Sequence, residues 1–362
     1  MRDWRVACGG GFLGVLALAA LLAPWLPLRD PAAQPDTGGL RELPPLARPY
    51  VVELADGTSR YAHDLRPAGA SASAGAGAGD GAIELLRASG WQRVAAEQLH
   101  GRPHRETYLL GTDAFGRDLL ARLIHGARAS LAVGLLAALI ALAIGTTIGA
   151  AAGLAGGLLD ALLMGFVDLA LSVPRLFAAL LLVTLFEPGL STTIVVLGAT
   201  SWMVAARLVR GEFLSLRERD FVHAARATGV SWLRMTLRHV LPSAAGPVLV
   251  EAALRVGDTI LLEAALSFLG LGVQPPAPSW GNMVADGRGL LESAWWISTL
   301  PGLAIGLTVL ALNLLADVAR ERLSARRASP ENRLVRAPAR TYIPPPVRGA
   351  AAVHPLSRMG RS

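Results

Sequence analysis

Six stretches of this 362-residue chain run apolar for about twenty residues or more: Val6–Leu28, Ser130–Gly153, Leu159–Phe186, Ser191–Val209, Gly246–Gly270 and Trp295–Val318. A helix of about 20 residues, rising about 1.5 Å per residue, crosses the roughly 30 Å hydrocarbon core of a bilayer. No water is available there to satisfy backbone N–H and C=O groups, so each crossing segment must bond its own backbone. The pattern predicts an all-α membrane protein with six transmembrane helices, and the composition (52% hydrophobic, 17% charged) agrees. Ala17-Leu18-Ala19 has the small-residue form of a signal cleavage site. The apolar run continues through Trp25, however, which favours an uncleaved anchor over residues 1–28.

Charge gives the orientation. All 34 basic residues are Arg and the net charge is +7. Without a lysine there is no GxxxxGK[ST] phosphate loop and no Schiff-base chemistry, so the chain does not hydrolyse ATP by the Walker mechanism. The lone Cys8 excludes a disulfide framework and any CxxC metal site. Arg207–Pro242 holds seven Arg against three acids, and the tail from Arg320 holds ten against two. Leu271–Ala294 has one Arg against two acids. Excess Arg marks the cytoplasmic side, which puts both termini and the 207–242 loop inside. The basic charge then serves orientation and lipid contact, and no nucleic acid is expected as a partner.

Between the first two spans, residues 29–128 form an external loop or subdomain. Val51–Leu54 and Ser59–Tyr61 flank Ala55-Asp56-Gly57-Thr58, a hairpin signal. The Ala/Gly/Ser tract 68–79 reads as a linker, and Ile83, Leu86, Val94 and Leu99 suit one or two amphipathic helical turns. Residues 129–322 form the core of five further helices, with a cytoplasmic loop at 212–242. The Arg- and Pro-rich residues 323–362 read as a disordered cytoplasmic tail.

The loop is the most informative segment. Asp220–Thr228 and Ser231–Val240 suit two helices around Gly229, with Pro242 stopping the second. On composition alone this is equally an amphipathic loop lying at anionic headgroups. However, His223-Ala224-Ala225-Arg226-Ala227-Thr228-Gly229, then nine residues, then His239-Val240-Leu241-Pro242, resembles the EAA loop of ABC-importer permeases, E-A-A-x3-G-x9-I-x-L-P. Both alanines, the glycine and Leu-Pro stand in register; His223 replaces the Glu and His239 the Ile. Gly111-Thr112-Asp113-Ala114-Phe115-Gly116-Arg117-Asp118 and Ala265–Met283 are similar to the peptide/nickel branch, specifically its dipeptide/oligopeptide "C"-type subunit. The likeness runs from about Gly111 to Arg322. It departs at Ala316, which replaces the first Gly of a Gly-Asp-x-x-Arg close.

The resemblance implies a type I ABC importer permease fold and an inner-membrane location. It implies uptake of di- or oligopeptides or similar small solutes such as nickel. Ala224, Ala225, Arg226, Gly229, Leu241 and Pro242 would couple the chain to ATPase subunits. The implied partners are a second homologous permease, two ABC ATPases and a periplasmic or lipid-anchored solute-binding protein. No catalytic site and no cofactor are then expected in this chain, ATP and Mg being held by the ATPases.

Charges inside the spans need a separate account. Glu251, Arg255 and Asp258 share one helical stripe, with Glu263 beyond. Four lipid-facing charges would cost on the order of 10–14 kcal/mol, more than the apolar residues of the span return, so they face protein or water. Either Glu251 and Arg255 pair for structure, or Asp258 and Glu263 line a translocation path between two permeases. Asp168 and Arg175, flanking Pro174, form a buried pair at a kink, or Asp168 joins the path. Asp113, Arg117 and Asp118 cap the turn at Gly116 as an ion-pair network, or meet a docking protein. His100 and His104 straddle Pro103, so no metal site is expected. Two rivals remain: a proton-coupled secondary transporter using Asp168, Asp258 and Glu263, and a membrane scaffold with a basic tail. The loop at 220–242 has no purpose in a secondary carrier.

Overall fold

The computed structural model describes residues 4–68, 82–218 and 241–327. Residues through Arg320 form one unit; from Glu321 a second begins, of which only the end of the last helix, to Arg327, is described. The opening helix α1 (Trp4–Leu22) stops before Pro24, which cannot join the helical ladder.

The following region is not helical, which corrects the all-α expectation in part. After the one-turn α2 (Thr37–Leu40) come β1 (Tyr50–Leu54), β2 (Ser59–Ala62), β3 (Asp64–Pro67), β4 (Ile83–Arg87), β5 (Gly90–Val94) and β6 (Leu99–Arg105). They form two antiparallel three-stranded sheets, ordered β2-β1-β6 and β3-β4-β5. The hairpin predicted around Asp56-Gly57 forms in the register Glu53↔Ser59, with Gly57 at φ +82° and Asp56 accepting from the Thr58 amide at 2.8 Å. Successive strand residues face opposite ways, so Val51 packs with Leu40, Leu43, Tyr61 and Tyr108. Val52 and Leu54 pack with Ala62 of β2 and with Leu85 and Val94 of the other sheet. Ile83–Leu99, whose apolar spacing suits helical turns, is mostly strand; its one helical turn is the 3-10 turn Ala96–Gln98. Gly90, at φ +102°, closes a tight turn after Ala88-Ser89, so β4 and β5 pair where a continuous helix would need the chain to run on.

The helical part is built on α3 (Leu119–Ala155), which packs against α4 (Gly157–Ser172), α6 (Leu190–Ala199), α7 (Trp202–Arg217) and α8 (Leu241–Phe268). Gly145, Gly149 and Gly153, one helical turn apart, admit α7. A Cβ on Gly149 would stand 2.3 Å from the Ala206 carbonyl oxygen, and one on Gly153 2.7 Å from the Phe213 Cβ. Small-residue stripes of this kind let membrane helices pack backbone to backbone. α9 (Trp280–Asp286) opens with a capping box between Ser279 and Asn282, and α10 (Trp296–Arg327) closes the described chain.

Among the described residues, three helices are long and apolar enough to cross a membrane: α1, α3 and Trp296–Leu323 of α10. The number rises to five if each of two bent pairs is one span. The third apolar stretch is not one straight helix. α4 and α5 (Arg175–Thr184) meet at 83° across Val173-Pro174, and α6 and α7 meet at 40° across Thr200-Ser201. α8 falls outside this set because Glu251, Arg255, Asp258 and Glu263 interrupt its apolarity. The described part of α8 begins at Leu241, five residues before the expected span.

Candidate translocation site

Two charged constellations occupy the described residues. The first surrounds the start of α3. The backbone passes through Gly116 at φ +76°, where a Cβ would meet that of Leu40 at 3.0 Å. Asp113 is buried inside this turn. Its Oδ1 accepts from the Phe115 and Arg117 amides at 2.9 and 3.0 Å, and its Oδ2 from Arg117 Nε at 2.6 Å. Arg117 reaches on through Nη2 to Asp286 at the end of α9, at 2.9 Å, and Arg122 Nη2 reaches the same Oδ2 at 3.2 Å. Asp118 caps α3 by accepting from the Leu120 and Ala121 amides, and also accepts from Arg29 Nη1 at 3.1 Å. Thr112 completes the joint: its hydroxyl accepts from the Leu43 amide at 2.8 Å, and its carbonyl accepts from Trp296 Nε1 at 3.2 Å. The sequence motif is thus a joint between the sheet-bearing region, α3, α9 and α10. Sequence reasoning does not single out Arg122, Asp286 or Arg29; the only signal is an unexplained arginine four positions after Asp118.

Burial outweighs the ion pairs at Asp286 and yields to them at Arg29. Burial pushes the Asp286 carboxyl above its ordinary value, with Arg122 and Arg117 opposing. Burial opposes charge on Arg29 as well. Tyr108, Glu106 and Asp118 outweigh it, and the guanidinium stays above the ordinary arginine value.

The second constellation lies where the spans break. Asp168 does not pair with Arg175 as expected; it pairs with Arg207 of α7, on the surface. The 83° bend carries Arg175 away toward α8, where its Nη2 donates to Thr259 Oγ1 at 3.4 Å. Arg210 of α7 holds Asp160 of α4 through two parallel bonds of 2.5 and 2.7 Å. On α8, Arg255 pairs with Glu251 inside the protein and lies 3.6 Å from Asp258, whose side chain is 55% exposed. Glu263 is fully buried: Ser267 Oγ donates to its Oε1 at 2.7 Å and Ser130 Oγ to its Oε2 at 3.2 Å. Asp168, Asp258 and Glu263 therefore stand in three different surroundings: exposed ion pair, half-open surface and closed interior.

Ala224, Ala225, Arg226 and Gly229 lie outside the described residues, and Leu241 and Pro242 are described only as the start of α8. His100 and His104 both lie on β6, opposite Glu53 and Val51. Among the described residues no three His, Cys, Asp or Glu side chains are grouped to hold a metal ion.

The chain is similar in sequence to known transport proteins. The family described as "Binding-protein-dependent transport system inner membrane component" matches residues 145–329, about half of the chain. The di/tripeptide transport system permease protein DppC of Pseudomonas aeruginosa (strain UCBPP-PA14) is 44% identical over 219 residues, 60% of this chain and 72% of that protein. The dipeptide transport system permease protein DppC of Escherichia coli (strain K12) is 48% identical over 219 residues, 60% and 73% respectively. The protein of that name from Alkalihalophilus pseudofirmus is 40% identical over 245 residues, 68% of this chain and 80% of its own length. The chain belongs to the family of binding-protein-dependent transport system inner membrane components.

Proposed function

We infer that the chain is a permease subunit of an ATP-driven importer of peptides, working in the inner membrane with both termini in the cytoplasm. The observation that carries this is the 40–48% identity to three peptide permeases across 72–80% of their lengths. The chain crosses the membrane six times in the type I manner: α1, α3, the α4–α5 and α6–α7 broken spans, α8 and α10. α8 carries its charges because they face protein or a second permease. The sheet-bearing region lies outside, where a solute-binding protein delivers the peptide. Two ATPase subunits supply the energy that a chain without lysine does not obtain by a phosphate loop. Residues 220–242, with Ala224, Ala225, Arg226, Gly229, Leu241 and Pro242, transmit it. Asp258 is the path residue that the surroundings favour; Asp168 and Glu263 serve packing. That division weakens the proton-relay alternative, which needs all three carboxylates in one path.

The test is uptake. In vesicles carrying the whole transporter and its binding protein, a labelled dipeptide should accumulate only with ATP on the cytoplasmic side. A proton gradient alone that drives uptake would overturn the assignment. Gly229→Val should leave ATP hydrolysis running while uptake falls about tenfold or more, because a β-branched residue would obstruct the turn that the sequence predicts at Gly229. Normal uptake in that variant would remove the coupling role of the loop.

A further inference from the structure

Both broken spans interrupt at the same place. Pro174 and Arg175 from the α4–α5 break, Thr200, Ser201 and Val204 from the α6–α7 break, and Arg255 from α8 line one cavity of about 130 Å³. Arg175 also lines a neighbouring cavity of about 260 Å³, together with Leu176, Leu261 and Asp258. One arginine therefore stands between the two spaces.

The charges around these cavities are unevenly matched. Arg255 is balanced by Glu251, a contact closed inside the protein. Arg175 has no carboxylate within ion-pair distance among the described residues, and its one polar bond is the long one to Thr259. The Nε atoms of Arg175 and Arg255 are both buried without a hydrogen-bond partner among the described residues. A buried arginine nitrogen left unbonded forfeits hydrogen bonds worth roughly 1.5–3 kcal/mol each, so such sites are normally filled. Arg175 also opens α5, which has no side-chain cap and no acid in its first turn, so the helix adds positive potential to the same spot. On the other side, Asp258 is held only at 3.6 Å by an arginine already paired, and it is more than half exposed. The result is a cation with no carboxylate in ion-pair distance and a loosely held anion around adjoining spaces, at breaks of the kind by which discontinuous membrane helices commonly bind solutes.

We propose that this double break is a zwitterion-binding site. Arg175, assisted by Arg255, takes the carboxylate of a short peptide, and Asp258 takes its α-ammonium group. The inference rests on the importer assignment above, and it adds that the permease itself selects peptides with both free termini. A peptide lacking its carboxylate charge leaves Arg175 unsatisfied; one lacking its ammonium charge leaves Asp258 desolvated against an apolar acyl group without a cation to pair.

The experiment uses the whole transporter in vesicles, carrying Cys8→Ser and Val204→Cys. The introduced thiol lines the first cavity, and an anionic methanethiosulfonate reagent reports access to it. Alanylalanine should slow labelling. Its C-terminal amide and its N-acetyl derivative should each protect about tenfold less, because each forgoes one charge-assisted hydrogen bond. Arg175→Ala should abolish protection by alanylalanine, whereas Arg175→Lys retains most of it. Asp258→Asn should erase the difference between alanylalanine and the N-acetyl compound. Equal protection by all three peptides, or a thiol the reagent does not reach, overturns the proposal. Dipeptide uptake by the same vesicles separates the two levels. Uptake without charge-selective protection rejects this site alone, and absence of uptake rejects the importer assignment.

Discussion

Glu263 occupies a hard position for a carboxylate, a closed interior site five residues before the end of α8. It is tolerated because two serine hydroxyls donate to it, and one of those serines, Ser130, also accepts from the Trp280 amide at 3.2 Å. Through these bonds one carboxylate ties α3, α8 and the start of α9 together. The stripe of charges on α8 is legible in the sequence, and so is the conclusion that the charges avoid lipid. Which of them faces inward is not, because that depends on serines 133 and 4 positions away. Glu263→Gln keeps the shape and lets each hydroxyl turn, so it should cost at most about 1 kcal/mol. Glu263→Ala strands two buried hydroxyls and opens a cavity, and should cost about 3–5 kcal/mol. Thermal unfolding of the detergent-solubilised protein measures both. A Gln variant as unstable as the Ala variant would mean that the charge itself is required.

Among the elements, the α3–α7 contact shows what sequence patterning conveys and where it stops. Three glycines at four-residue spacing mark a close helix–helix approach, but the partner emerges only from packing, with Ala205, Ala206, Val209 and Phe213 in contact range. The same limit applies at Pro174. The proline announces a break, yet its angle of 83° decides that Asp168 faces Arg207 and Arg175 faces Thr259, where a straight count along one helix pairs Asp168 with Arg175. The β4–β5 hairpin escapes sequence reasoning for a related cause: Ile83, Leu86, Val94 and Leu99 fit a helical stripe loosely, and the strand choice is made by Gly90 and by Leu85 entering a shared core. Gly149→Val tests the α3–α7 contact. Its Cβ would overlap the Ala206 carbonyl, where no flexible side chain can yield, so the helices must separate. Little folded protein should be recovered, while Gly165→Ala, where a Cβ meets nothing, should behave as wild type. Normal folding of Gly149→Val would require a different α3–α7 packing.

Across the whole molecule, packing revises the charge argument. Arg207 and Arg210 fall within the basic segment 207–242, but both lie on α7 and neutralise Asp168 and Asp160 of α4. Their removal leaves five Arg against three acids between Gly211 and Pro242, so the loop falls from +4 to +2. The tail then carries most of the orienting charge: eight Arg against one Glu lie between Ser324 and Ser362. Only charges within about 15–20 residues of a span end orient it effectively, however, so the distal arginines contribute little, whereas Arg320 and Arg322 lie within α10 itself. Truncation after Leu323 should therefore leave the C-terminus cytoplasmic, as read by a fused reporter, and should leave peptide uptake near the full-length rate. An inverted C-terminus would show that the tail sets the topology. Correct topology with uptake abolished would give those residues a working role in transport, and the basic-tail scaffold would regain its standing.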